Sequence, residues 1–224
     1  TPGCGFGTIT RKNTATTTMI TGVADTISGN NSSNVSQTLA SAACLQPELQ
    51  VTKTQDTTSF VSGATTRYVM TYTNAGAGAG NNSKISDSLT YTNNAGAGNV
   101  AFTNVEDAAT FVSCVAANGA VCPSSGLANK AFASGASGTR ALYSGAIVPT
   151  WPSGGTITVT YDVTSTSNGC GFGTITRQNS ASTAVASGLT DSNTVNTTNT
   201  VSQTGASPVC PTVNLQLNKP QKPA

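Results

Sequence analysis

Three polar residues of the chain have the side-chain types of a self-forming cross-link. A lysine, an aspartate and an asparagine each lie at an even spacing from apolar residues of their own segment, so each side chain points to the face that those residues bury. The apolar neighbours are Leu49 and Val51 for Lys53, Ile85 and Leu89 for Asp87, and Ile175, Ala181 and Val185 for Asn179.

Together, these side chains have the chemistry of an isopeptide bond. Burial lowers the pKa of a lysine, which makes the neutral amine available, and raises the pKa of an aspartate, whose protonated form polarises an amide. Fixed proximity then lets the Lys53 amine attack the Asn179 amide, and ammonia leaves. The alternative is a buried Lys53–Asp87 ion pair that is hydrogen-bonded to Asn179. The sequence leaves both interpretations open.

The composition argues against catalysis and against nucleic-acid binding. The 224 residues include ten Lys or Arg, eight Asp or Glu and no His, so charged residues make up 8% of the chain. The lack of His excludes Ser-His-Asp and Cys-His catalysis and the common zinc sites. A net charge of +2 without a basic cluster gives no footprint for nucleic acid. We therefore predict a protein that is not an enzyme, binds no cofactor or metal and inserts into no membrane.

Apolar residues alternate with threonine, which is typical of half-buried strands. Between residues 155 and 164, for example, Ile157, Val159, Tyr161 and Val163 share one face and threonine fills most of the other. No segment has a convincing period of 3.6 residues. We therefore predict an all-β fold, an antiparallel β-sandwich. The strand candidates are 48–54, 66–74, 83–90, 100–104, 109–115, 139–147, 155–164, 172–186 and 194–203.

A long internal repeat organises the chain. Residues 3–53 and 169–219 align without a gap at an offset of 166, with 25 of 51 positions identical, and both begin with the letters GCGFGTITR. This predicts the closing strands of one unit at 1–46, a complete sandwich at 47–210 and an opening strand of a further unit at 211–224. In the opening strand, Leu215, Leu217 and Lys219 match Leu49, Val51 and Lys53.

Six cysteines suggest an oxidising compartment and a disulfide framework. A spacing of 40 residues occurs in both copies of the repeat, which predicts the pairs Cys4–Cys44 and Cys170–Cys210. The remaining pair, Cys114–Cys122, then closes a short loop.

The order of motifs in the complete unit resembles a known family. The segments are Leu49 to Thr54, Arg67 to Gly76, Ile85 to Leu89, Thr156 to Val163, Asn179 to Ala181, and Asp191 leading to Val201. Their order is similar to the conserved-repeat domain of prokaryotic surface proteins (domain of unknown function eleven). The resemblance covers about 160 residues, and it implies an Ig-like sandwich repeated in tandem on an extracellular, cell-surface protein. The long segment between Leu89 and Gly155, with its cysteine pair, departs from the family pattern.

Two classes of function follow. The first is a structural repeat of a filament, stalk or sheath, in which the tail 211–224 of one copy adds as a strand to the next copy; an excerpt of a longer tandem protein is the other explanation of the two partial units. The second is an adhesin that binds carbohydrate or a host protein through the loops 74–82 and 145–155.

Four further residues bear on these alternatives. Trp151 is either a loop residue that covers the core or an exposed platform for a sugar, and the first is favoured. Glu106 and Asp107 suggest a solvated turn, because adjacent residues of a strand point to opposite faces and cannot act as a pair. Arg177 shares the phase of Asn179, so we expect its long side chain to reach the rim. The glycine-rich loop 74–82 is expected to be flexible.

Overall fold

A computed structural model describes residues 7–40, 44–93, 105–134, 139–167, 170, 173–206 and 209–216. The chain forms two compact units, Thr1–Leu45 and Gln46–Ala224. Within the described ranges no helix is long and apolar enough to cross a membrane. The predicted strand 100–104 lies outside the described residues, as do Cys4, Leu217 and Lys219.

The first unit contains an antiparallel hairpin of two strands, β1 (Thr8–Thr16) and β2 (Ser32–Ala40). The connection includes a 3-10 turn at Ser28–Asn30, and the side chain of Asp25 accepts a hydrogen bond from the backbone N–H of Ile27 at 2.9 Å. We call residues 8–40 hairpin 1. Both strands are exposed along their whole length.

The second unit is an Ig-like antiparallel β-sandwich, which confirms the predicted fold class. One sheet has the order β11–β10–β5–β8 and the other the order β3–β4–β9–β6–β7. The strands are β3 (Leu49–Gln55), β4 (Thr65–Asn74), β5 (Ser83–Asn93), β6 (Val105–Ala117), β7 (Lys130–Phe132), β8 (Arg140–Val148), β9 (Thr156–Ser167), β10 (Thr174–Ala184) and β11 (Thr198–Ala206). A 3-10 turn at Thr194–Asn196 precedes β11.

The core lies between the two sheets and follows the alternation seen in the sequence. In β4 and β9, every second side chain is buried, and threonine fills most of the outer positions. Five tyrosines, one tryptophan and the aliphatic residues of both sheets meet there in a single cluster. The inner phase of the strands is therefore set by the period of two in the sequence.

Two disulfides join described residues. Cys114 is bonded to Cys122, and Cys170 is bonded to Cys210 across the base of the β10–β11 hairpin. Cys44 is also disulfide-bonded, whereas Cys4, its predicted partner, lies outside the described residues. The observed disulfides fit an extracellular or secreted protein, since such bonds persist in oxidising compartments.

The glycine-rich loop 74–82 is held by hydrogen bonds, so the expected flexibility is wrong. The side-chain amide of Asn74 donates to the carbonyl oxygens of Gly78 at 2.8 Å and of Trp151 at 3.2 Å. A Cβ atom on Gly76 would lie only 2.3 Å from the backbone nitrogen of Glu48, so this position requires glycine. The short connection between β4 and β5 is thus packed against the start of β3.

The tail has no strand in its described part. Residues 209–216 belong to no strand and are exposed, and the side chain of Leu215 is 89% exposed. The rest of the predicted opening strand lies outside the described residues.

Candidate cross-linking site

Lys53, Asp87 and Asn179 point into one region of the core. Lys53 lies on β3, in one sheet, while Asp87 on β5 and Asn179 on β10 belong to the other sheet. In the β5–β10 ladder, Asp87 is opposite Ala181 and Asn179 is opposite Leu89. The aspartate and the asparagine are therefore diagonal neighbours on the inner face, where side chains two residues apart still reach each other. The lysine approaches them from across the sandwich.

The Lys53 ammonium and the Asp87 carboxylate form a fully buried contact. Lys53 Nζ donates a short hydrogen bond to Asp87 Oδ1, and neither side chain has any solvent exposure. Burial lowers the pKa of Lys53 to about 8, although the charge of Asp87 opposes this shift. Burial also raises the pKa of Asp87 to about 6, against the influence of Lys53. Both shifts favour the uncharged forms, because the sandwich interior solvates charge poorly.

Asn179 has the least satisfied side chain of the three. It is completely buried, and neither its amide nitrogen nor its amide oxygen has a well-formed hydrogen-bond partner among the described residues. It nevertheless lies close enough to Asp87 for a side-chain hydrogen bond to lower the pKa of that carboxyl group. The second carboxylate oxygen of Asp87 also lacks a well-formed hydrogen bond in the described part of the chain. A buried amide that lacks its hydrogen bonds is costly, so a group in this condition calls for an explanation.

Aromatic side chains form the walls around the three residues. Lys53 Nζ lies 5.3 Å from the centre of the Tyr68 ring. The hydroxyl groups of Tyr72 and Tyr143 are hydrogen-bonded to each other at 2.7 Å, and Tyr72 also donates to the carbonyl oxygen of Ser86 at 3.0 Å. A register irregularity of the β5–β8 pair flanks Asp87 on both sides. The aspartate is thus fixed in an apolar surrounding at a bulged position of its strand.

This arrangement has the parts needed for amide exchange. It provides a buried amine with a lowered pKa, a carboxyl group with a raised pKa in contact with it, and a buried amide beside that carboxyl group. The two interpretations made from the sequence differ only in whether the Lys53 nitrogen is bonded to the Asn179 carbon.

A second buried polar network lies beside this site, and the sequence analysis misjudged it. Asp107 is buried on β6 instead of lying in a solvated turn, and it accepts a hydrogen bond from Arg140 Nη1 at 2.6 Å. The hydroxyl groups of Tyr91 and Ser165 donate to its other oxygen. Glu106, the residue before Asp107 on the strand, points to solvent, because adjacent residues of a strand point to opposite faces.

Arg177 is also buried, with 2% exposure, so the prediction that it reaches the rim is wrong. Its guanidinium donates to the side-chain oxygen of Gln203, its cross-strand partner, at 2.9 Å and to the Thr66 hydroxyl at 2.7 Å. It also donates to Ser165, which in turn donates to Asp107. Polar partners inside the sandwich replace the solvent that we expected this charge to need.

Arg140 received no role in the predictions from the sequence, and Asp107 was assigned to a solvated turn. Asp107 has the phase of Val105 and Ala109, and Arg140 has the phase of Leu142, all of which are buried. The rule that selected Lys53 and Asp87 therefore also selects this pair.

The loops offer little support for the adhesin alternative. Trp151 is completely buried, and its indole N–H donates to the carbonyl oxygen of Gly155 at 2.9 Å. It covers the core, which confirms the favoured interpretation and removes the candidate sugar platform. No group of three or more metal-ligating side chains occurs among the residues that the structure describes.

Comparisons with known proteins give no family. No family model matches the chain, and no curated protein matches it. Among solved structures, AvmM, which catalyses macrocyclization in alchivemycin A biosynthesis, is 9% identical with a TM-score of 0.39, over 73% of this chain and 92% of that chain. The collagen-binding domain of the Erysipelothrix rhusiopathiae surface protein RspB is 12% identical with a TM-score of 0.25, over 90% of this chain and 60% of that chain. Neither similarity is close enough to carry an argument about function.

Proposed function

We propose that this chain is a structural repeat of an extracellular surface filament or stalk, and that an isopeptide bond between Lys53 and Asn179 joins its two sheets. The observation that carries the proposal is the fully buried contact of Lys53 with Asp87 beside an amide that lacks well-formed hydrogen bonds within the described structure. The bond would join the first strand of the sandwich, β3, to its penultimate strand, β10. A pulling force applied at the two ends of the repeat would then be carried by the bond and not by the strands between β3 and β10.

The reaction needs only groups that the chain supplies. The neutral Lys53 amine attacks Cγ of Asn179, the bond from Cγ to Nδ2 breaks, and Nδ2 leaves as ammonia after it takes up one proton from the attacking amine. Asp87 carries this proton between the two nitrogens. No oxidation or reduction occurs, and the product is a secondary amide. Fixed proximity provides most of the rate, because each chain reacts once.

Mass spectrometry of the intact, non-reduced chain tests the bond directly. We expect a mass lower by one ammonia after the disulfides are counted, and a branched peptide that contains Lys53 and Asn179 after digestion. The Asp87→Ala chain should have the mass calculated from its sequence without the loss of ammonia, because no group then carries the proton between the two nitrogens. An unmodified mass for the parent chain would leave the buried ion pair as the correct interpretation.

The rate of the same reaction is expected to have a bell-shaped pH dependence. Between the pKa of Asp87, about 6, and that of Lys53, about 8, the pair shares one proton, which allows a neutral amine and a protonated acid. Below this window both groups are protonated, so no neutral amine is available, and above it both have lost their protons, so no acid remains. The measurement is the loss of ammonia by chain refolded from denaturant at a series of pH values.

For assembly, we propose that copies associate head to tail by strand addition, with the tail 211–224 as the inter-subunit strand. The described part of the tail is exposed and unpaired, and unpaired strands are templates for joining. Contacts of this kind that do not close on themselves produce filaments. The partners in this proposal are other copies of the chain, and the location is the cell surface. The resemblance to the conserved-repeat family is part of the same proposal.

Deletion of residues 211–224 tests the role of the tail. We expect electron microscopy to show fibres of the full chain and none of the truncated chain, whose sandwich should still melt as a folded domain. Fibres of unchanged morphology from the truncated chain would show that the tail is not the joint. Monodisperse full-length particles that bind to a glycan array would favour an adhesin instead.

A further inference from the structure

Hairpin 1 reproduces the β10–β11 hairpin that closes the sandwich. Thr8 is opposite Ala40 and Arg11 is opposite Gln37, and the residues 166 positions later, Thr174 with Ala206 and Arg177 with Gln203, have the same register. The 3-10 turns Ser28–Asn30 and Thr194–Asn196 correspond as well. The repeat in sequence is therefore also a repeat in structure.

The inner face of hairpin 1 carries a second acceptor for the lysine. Four of the positions that are identical on this face are Ile9 and Ile175, Arg11 and Arg177, Asn13 and Asn179, and Gln37 and Gln203. All four are buried in the β10–β11 hairpin and exposed in hairpin 1. Hairpin 1 of one copy could therefore replace the β10–β11 hairpin of another copy, because the two hairpins do not differ at these four positions. Lys53 would then be bonded to Asn13 of another copy.

Two inner positions of the strands differ, Ser33 against Asn199 and Leu39 against Gly205, and the second lies at a tight backbone contact of the hairpin. Leu39 takes the place of Gly205. A Cβ atom on Gly205 would lie 2.0 Å from the carbonyl oxygen of Phe60 and 2.9 Å from its carbonyl carbon. The Phe60 backbone is fixed there, since its N–H donates to the carbonyl oxygen of Thr204 at 3.2 Å.

We propose that Leu39 is the specificity-determining residue that prevents hairpin 1 from replacing β10 and β11, so that Lys53 reacts within its own repeat and not with Asn13 of another copy. This inference rests on the proposed Lys53–Asn179 bond. A leucine at this position meets backbone atoms, which cannot rotate away as a side chain does. The loop that contains Phe60 would have to move away, so its N–H could not form with Thr38, the counterpart of Thr204, the hydrogen bond that it forms with Thr204.

Without the leucine, the exchange product is intermolecular. The backbone N–H of Leu49, at the start of β3, donates to the Asp191 carboxylate, and the side chain of Gln55, at the other end of β3, donates to the carbonyl oxygen of Ser202. β3 therefore spans about 20 Å between these points, and the Cys170–Cys210 base lies beyond the Ser202 end. Cys44, the counterpart of Cys210, lies five residue steps before Leu49, and a fully extended chain covers about 17 Å in five steps. The linker between hairpin 1 and β3 is thus too short for hairpin 1 to take the place of β10 and β11 in its own sandwich.

The test uses full-length chains in which the internal acceptor is removed by Asn179→Ala. With Leu39 in place, we expect a single band on a denaturing, reducing gel after incubation. Adding Leu39→Gly should produce a ladder of covalent oligomers with a Lys53–Asn13 branched peptide, and further addition of Asn13→Ala should remove the ladder. An equal ladder with Leu39 in place would overturn the proposal. If the parent chain has lost ammonia, and the isopeptide bond therefore forms, the absence of a ladder from the Leu39→Gly chain would also overturn the proposal.

A second test does not depend on the isopeptide bond. Ser88 of β5 is opposite Ser180 of β10, whose counterpart in hairpin 1 is Thr14. Chains with Ser88→Cys and Thr14→Cys should form intermolecular disulfides in the Asn179→Ala background when Leu39→Gly and Gly205→Leu are also introduced, and none with Leu39 and Gly205 in place. If the parent chain has its full mass, the isopeptide proposal fails, and this experiment alone decides the role of Leu39. Equal disulfide formation with and without the exchanged residues at positions 39 and 205, or none in either chain, would refute it.

Discussion

Replacement of Asp107 by alanine is expected to lower the free energy of unfolding by about 3–5 kcal/mol, the usual cost of breaking a buried ion pair. The Asp107 side chain has no solvent exposure, and that of Arg140 has 2%. Without the carboxylate, the guanidinium of Arg140 stays in the core without its counter-charge. Arg177 loses the same anion, because Ser165 links it to Asp107.

The matched control is another Arg–Asp pair of the same sandwich. Arg67 and Asp162 form a two-pronged salt bridge on the outer face, at 2.8 and 2.7 Å, and the Arg67 side chain is 51% exposed. Asp162→Ala should change the stability little, because water solvates the remaining charge. Guanidinium unfolding followed by circular dichroism gives both values. Losses of equal size in the two variants would contradict the view that burial of the Asp107 pair decides its effect.

The period of two in the sequence was sufficient to place the inner face of most strands. Lys53, Asp87 and Asn179 were selected by phase alone, and all three are buried on that face. Phase also placed Arg177 on the inner face. Only the expectation that its charge would need solvent was wrong. Its actual partners, Gln203, Thr66 and Ser165, come from three different strands, and such distant partners have no signature within a local pattern.

Other features were beyond the reach of sequence patterns for physical reasons. β7 has three residues, too few to show an alternation. The glycine-rich loop 74–82 has the composition of a flexible segment, but Asn74 supplies side-chain hydrogen bonds that compensate for it. The contrast between Leu39 and Gly205 is visible in the sequence as a single difference. Its meaning depends on the position of the Phe60 backbone, which only the coordinates give.

The proposed Lys53–Asn179 bond has the second large expected effect on stability, and Asn179→Ala should reveal it. A bond between residues 53 and 179 closes a loop of more than 100 residues, and restriction of the unfolded chain by such a loop is worth about 5 kcal/mol in the entropy model developed for disulfides. The substitution removes the acceptor but leaves the Lys53–Asp87 contact in place, and the side chain that it deletes has no well-formed hydrogen bond in the described structure. The loss of stability should therefore come mainly from the missing cross-link.

The repeat provides the matched control for this variant. Asn13 is the counterpart of Asn179, and it is exposed in hairpin 1. Asn13→Ala should leave the unfolding transition of the sandwich unchanged, while Asn179→Ala should move its midpoint to a clearly lower guanidinium concentration. Asp87→Ala separates the contributions further, because it prevents the bond but retains the amide; it should be at least as unstable as Asn179→Ala, since it also leaves Lys53 without its partner. If Asn179→Ala unfolds at the same midpoint as the parent chain, no cross-link holds the two sheets, and the buried Lys53–Asp87 ion pair alone accounts for the site.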